Sequence, residues 1–152
     1  MISIRPATLD DAPAMSAVLI ASITELCVAD HKNNPDALAS WLANKTPEGV
    51  SQWFGNPEGR LFVAERHGEI AAVGAFGTDR MIRLNYVSPR HRFAGVSKAM
   101  LLALEERLGP GEARLESSQT ARRFYLDAGW VEAGPPVPHR FVAGYPMRKV
   151  LA

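Results

Sequence analysis

The stretch from Met81 to Ser118, MIRLNYVSPRHRFAGVSKAMLLALEERLGPGEARLESS, constrains the fold more than any other part of the chain. MIRLNYV alternates in the manner of a strand, and Pro89 breaks it. A helix then opens at Gly95 and carries Val96, Ala99, Met100, Ala103 and Leu104 on one face, until GPG ends it. ARLESS reads as a strand again. Two strands joined by a helix of this length are expected to lie parallel, through a right-handed crossover. Arg90, His91, Arg92 and a bare glycine stand where the helix begins. The first turn of a helix has N–H groups without partners and the positive end of the dipole, so this place suits an anion, phosphate above all.

The flanking segments extend this unit. ISIRPA is a short strand, and Thr8 with Asp11 resembles a capping box before a helix over about Leu9–Cys27, whose inner face is Met15, Leu19, Ile23 and Leu26. Asn34 followed by Pro35, and Thr46 followed by Pro47, are starts of two further helices. LFVAERHGEIAAVGAF is two apolar strands turning near His67 and Gly68. After the crossover, TARRFYLDAG is a short helix ended by Gly129, and WVEA and YPMRKVL are the last strands, joined by GPPVPHR. The expected fold is α/β: one domain over residues 1–152, a mixed β-sheet flanked by helices in the order β-α-α-βββ-α-β-α-ββ.

Composition removes several classes of function. The net charge of +1 gives no global case for nucleic acid or an anionic membrane. No segment approaches the ~18 apolar residues of a membrane span, and MISIRPATLDD is not a signal peptide, so a cytoplasmic protein is expected. The single cysteine, Cys27, excludes a disulfide within the chain and lies in an apolar helical pattern, as a small buried hydrophobe does. Four histidines and one cysteine show no metal-ligand spacing.

VSPRHRFAGVSKAML resembles the acyl-CoA-binding signature of the GNAT superfamily of N-acetyltransferases: a strand end, Arg92 at the Gln/Arg position, Gly95 as the middle glycine and Ser97 at the last small position. Phe93 stands where a glycine is common, and Ser97 where Gly or Ala is. SSQTARRFYLDAGW is similar to the family's later segment, through Ala121, Phe124, Tyr125, Gly129 and Trp130, with Ser118 at the asparagine position. IRPATLDDA looks like the family's opening. Each motif alone is weak. Two in order, with a helix and a strand between, are specific.

The resemblance implies a GNAT-like domain that moves an acetyl group from acetyl-CoA, a co-substrate, to a primary amine by direct attack in a ternary complex. The backbone of Phe93, Ala94, Gly95, Val96 and Ser97 would cradle the pyrophosphate, with Arg92 adding a charge-assisted contact and Lys98 close by. The edge Leu84–Val87, including Tyr86 and Val87, would receive the pantetheine as an added strand, with a backbone N–H donating to the thioester oxygen; Ser118 belongs to the same cofactor set. Tyr125 is the expected acid for the departing thiolate, and also a cofactor contact. Toward the acceptor the candidates are Glu25, His31, Asn85 and His139. The partner is a small-molecule or peptide amine, with no nucleic acid, membrane or metal, and with a homodimer left open. The rival is a non-catalytic acyl-CoA-binding or regulatory module of the same fold.

Overall fold

A computed structural model describes residues 1–152. Strand β1 (Ile2–Pro6) leads through a 3-10 turn into α1 (Ala12–Leu26), a single turn α2 (Val28–His31), α3 (Pro35–Leu42) and α4 (Pro47–Trp53). Then come β2 (Gly59–Arg66), β3 (Glu69–Gly77), β4 (Met81–Val87), α5 (Val96–Leu108), β5 (Gly111–Ser117) and α6 (Arg122–Asp127). The chain ends with β6 (Val131–Glu132), β7 (Val137–Pro138) and β8 (Ala143–Leu151). The sheet runs β1-β2-β3-β4-β5-β8-β6, with β7 also on β8. Only the β4–β5 neighbours are parallel, so the crossover read from the sequence is present. The expected mixed α/β sheet flanked by helices is found, with a short added strand, β7, inside the connection GPPVPHR and a second difference before β2. The segment before β2 holds four helical pieces, because Cys27 and Lys32 leave helical geometry and Asn34 and Thr46 each start a new helix.

Alternation along the strands divides the core. Phe62, Ala64 and Ala72 face α5, whose Val96, Met100, Leu101 and Leu104 are buried against them. Val63 and Val73, one residue on, face the other way, onto Met15 and Leu19 of α1 and Val50 of α4. The caps behave as their residue types require: Asn34 Oδ1 accepts from the N–H groups of Asp36 and Ala37, and Thr46 Oγ1 from that of Gly49. Arg80 closes the other end of the crossover. Its Nη1 donates to Leu108 O at 2.7 Å, its Nη2 to Gly109 O at 2.8 Å and its Nε to Glu112 O at 2.9 Å. A cation thus satisfies the last carbonyls of α5 and fixes the start of β5. No helix is long and apolar enough to cross a membrane.

The start of α1 is tied to the sheet by charge. Arg5 Nη1 and Nη2 donate to the two oxygens of Asp11 at 2.8 and 2.9 Å, and its Nε to Glu65 at 2.8 Å. Thr8 N–H also donates to Asp11, at 2.8 Å. The Arg5 bonds above all hold the Asp11 carboxyl down at about 2. A depressed carboxylate stabilises the fold above its unfolded pKa and loses that contribution as pH falls through the folded one. The side chain of Arg5 is 36% exposed, so screening leaves this network worth about 1 kcal/mol or less. Asp11→Asn is expected to lose that amount at neutral pH. Its urea-unfolding stability should then fall less than that of the natural protein between 3.8 and about 2, the window of the shift.

Candidate active site

Strands β4 and β5 pair at two positions only, Met81 with Arg114 and Ile82 with Leu115. Beyond them β4 stays on β3, with Leu84, Asn85, Tyr86 and Val87 opposite Ala75, Gly74, Val73 and Ala72. Strand β5 stays on β8 as far as Ser117. Arg83 is an extra residue between the Leu84–Ala75 and Ile82–Phe76 pairs, a bulge that bends β4 away. The β5-facing edge of residues 83–87 is left without a strand, and a cleft of about 350 Å³ opens in the fork. Ser22 and Cys27 wall it from the α1 side, Phe124 and Tyr125 from α6. A second cavity of about 680 Å³, beside α4, meets the first at Arg83 and Leu84.

The loop between β4 and α5 closes one end of this cleft. Ser88 N–H bonds to Ala71 O at 2.8 Å and His91 N–H to Ser88 O at 2.9 Å. The buried His91 accepts from Arg66 on Nδ1 at 3.1 Å and so donates from Nε2 to Glu69, at 2.8 Å. Arg90 reaches the other oxygen of Glu69 at 3.0 Å. His91 and Arg90 hold the Glu69 carboxyl below its ordinary range. Two of the three basic side chains thus anchor the loop to the β2–β3 hairpin, and Arg92 lines the cleft. Gly95 is left-handed at φ +78°, and no side chain caps the α5 N-terminus that follows. Phe93 is also left-handed, at φ +62°, and exposed. A bulky residue there costs about 1–2 kcal/mol, which explains why glycine suits the position.

Tyr125 is 6% exposed and packs edge-on against Phe124 and Trp130. Burial pushes its phenol up to about 12, and the neighbouring Asn85 side chain offsets this in part. Neither amide atom of Asn85 has a hydrogen-bond partner of normal geometry, although both are buried. Asn85 lines the cleft, so a polar group that enters it can pair with this amide.

Comparison with known proteins agrees with this geometry. The model of the GNAT acetyltransferase domain matches residues 24–151. The chain belongs to the GNAT acetyltransferase family. No curated protein matches it. Among solved structures, a GCN5-related N-acetyltransferase from Rhodopseudomonas palustris superposes with a TM-score of 0.86 at 21% identity, covering 98% of this chain and 95% of that one. The PaiA N-acetyltransferase from Thermoplasma acidophilum, in complex with coenzyme A, gives 0.79 at 16% identity, with 99% of each chain covered. A protein described as histone acetyltransferase HPA2 and related acetyltransferase, from Corynebacterium glutamicum, gives 0.75 at 22%, covering 99% and 97%.

Within this GNAT domain the structure sorts the residues singled out from the sequence. Tyr86, Val87, Arg92, Phe93, Ser97, Ser118 and Tyr125 line the cleft, and so does Asn85. Ala94, Gly95 and Val96 form the turn into α5, with the Val96 side chain in the core. Lys98 is exposed and outside the cleft. Glu25 is also exposed and outside it. The acceptor role expected of His31 does not fit its surroundings. His31 is 2% exposed, with Nε2 donating to Ile23 O at 2.8 Å and Nδ1 accepting from Asn33 N–H at 3.0 Å. It closes the turn after α1, and no ring nitrogen is free. His139 does not line the cleft either; it bonds to Glu116, which does. Cys27 does line the cleft, but burial pushes its thiol up to about 12, so it is no thiolate nucleophile.

Two further residues shape the fork, and the sequence reading singled out only Asp30, as a weak candidate for a base. Asp30, in α2, accepts from the N–H groups of Gln119 at 2.6 Å and Thr120 at 3.1 Å, and from the Thr120 hydroxyl at 2.5 Å. It ties the α1 side of the fork to the turn before α6. Glu116 lines the cleft from β5. Its position two residues before Ser118 was the available signal, since strand alternation turns it away from the core face of Leu115 and Ser117.

Proposed function

We propose that this protein is an N-acetyltransferase that takes an acetyl group from acetyl-CoA and passes it to a primary amine by direct attack. The observation that carries this reading is the fork itself: an unpaired strand edge, an uncapped helix N-terminus at one end and a buried phenol at the side. The edge of β4 offers backbone groups to the pantetheine amides as an added strand would, and one N–H there faces the thioester oxygen. The free N–H groups of Val96, Ser97 and Lys98, the α5 dipole and Arg92 receive the pyrophosphate. The buried Asn85 amide takes a polar partner from the bound thioester or amine. Tyr125 stays protonated at neutral pH and donates to the departing sulfur. The coenzyme A complex of the Thermoplasma acidophilum protein, which shares the fold, supports the choice of donor.

The test is release of free thiol from acetyl-CoA on incubation with a panel of amines. An amine-dependent rise is the expected result. Tight acetyl-CoA binding by calorimetry, with no thiol release for any amine, would instead make the protein a binding module.

A further inference from the structure

We propose that Glu116, braced by His139 and seated over Gly144, binds the ammonium group of the incoming acceptor and takes its proton. This rests on the acetyl-transfer reading above and assigns the group that it lacks. The argument begins with elimination. Glu116 is the only carboxylate that lines the cleft, and no histidine or lysine lines it. The other titratable groups there are Cys27 and two tyrosines, all held protonated by burial, and the guanidinium groups of Arg83 and Arg92. Glu116 alone is an anionic proton acceptor in contact with this space.

Its placement is built. Glu116 alternates out of the sheet on the face opposite Leu115 and Ser117, whose side chains are buried. One carboxylate oxygen accepts from His139 Nε2, and the second has no protein partner. The carboxylate lies directly on Gly144 of β8, where a Cβ would overlap it. The bare Cα of Gly144 is the seat for the carboxylate. His139 comes from the segment between β7 and β8, so two separate parts of the chain converge to hold this one anion. The Glu116 side chain is 29% exposed, open to solvent on one side and to the cleft on the other.

In the reaction the ammonium gives one proton to the free oxygen of Glu116, which later returns it to solvent. The amine lone pair forms the new bond to the thioester carbon, and the carbon–sulfur bond breaks. Tyr125 gives its proton to sulfur and recovers the second proton of the attacking nitrogen. The products are the amide, the free CoA thiol and one proton in solvent. His139 is a positioning residue. It orients the carboxylate and need not touch the acceptor.

Two probe nucleophiles separate this assignment from the reading it rests on: n-butylamine, an ammonium ion near neutral pH, and hydroxylamine, whose nitrogen is already unprotonated there. Glu116→Gln keeps an oxygen for the His139 N–H and removes the charge. It is expected to bind acetyl-CoA as the natural protein does and to lose kcat/KM for n-butylamine by about 100-fold or more. Its loss for hydroxylamine should be smaller by at least roughly tenfold. Gly144→Ala, which displaces the carboxylate without removing it, should show the same unequal loss. His139→Gln, which retains a donor, should restore most of what His139→Ala loses. Equal losses on both nucleophiles, or none, would overturn the role of Glu116. Transfer to hydroxylamine but not to n-butylamine by the natural protein would overturn it as well. No transfer to either, nor to any amine of the panel, would overturn the acetyl-transfer reading itself.

Discussion

Gly95→Asp is expected to lower acetyl-CoA affinity by more than ~100-fold in a protein that still folds. A Cβ at Gly95 meets nothing within 4 Å, so the fold has room for the side chain. The φ of +78° is a conformation that aspartate tolerates better than most residues, and a carboxylate at the start of α5 suits the helix dipole. Fold stability should therefore fall by only about 1 kcal/mol, for the left-handed backbone. Binding should change greatly, because the same open space is where the proposed function puts the pyrophosphate. An added negative charge there repels the phosphates, and like charges brought together cost several kcal/mol, or more than two orders of magnitude in affinity. Calorimetry of the variant with acetyl-CoA, beside a thermal melt, separates the two effects. Affinity within threefold of the natural protein would remove the phosphate from this turn.

How much of this was legible in the sequence differs between the fold and the site. The crossover, the hairpin and the helix starts at Asn34 and Thr46 depend on residues close in sequence, so local patterns carry them. The turn into α5 was legible for the same reason. Glycine at a positive φ and an uncapped helix start are local requirements, and the family motif records them. The fork was not legible, because β4 and β5 both look like ordinary strands. Their separation after Ile82 and Leu115 comes from a one-residue bulge at Arg83, seen only in the pairing with β3. The basic run 90–92 misleads for a related reason. Its first two members pair with Glu69, and His91 also accepts from Arg66, on a hairpin more than 20 residues earlier. The buried place of His31 is not legible because no local pattern shows that α2 folds back to set its Nε2 on the Ile23 carbonyl. The Glu116–His139 contact needs β8 to fold against β5, which no pattern within either segment announces.

Tyr125→Phe is expected to lower kcat by roughly 10- to 100-fold, with stability and acetyl-CoA affinity little changed. The ring is 6% exposed between Phe124 and Trp130, and phenylalanine keeps those contacts. The hydroxyl has no normal hydrogen bond to lose, since its neighbour Asn85 is unpaired. Folding therefore has little reason to change. The effect on rate follows from the leaving group. A thiol pKa near ~8.5 makes the departing thiolate only moderately unstable in neutral solution, so protonation helps less than it would for an alkoxide. This places the expected loss at the low end of the ~10²–10⁴-fold range of general acids and bases, or just below it. A phenol pushed up to about 12 by burial is a weak acid in the ground state, but in the proposed reaction the thiolate charge forms in the cleft beside it and favours proton transfer. The measurement is single-turnover thiol release at saturating acetyl-CoA, where product release does not limit the rate. A folded Tyr125→Phe protein with an unchanged single-turnover rate would make Tyr125 a packing residue and leave sulfur to be protonated by solvent.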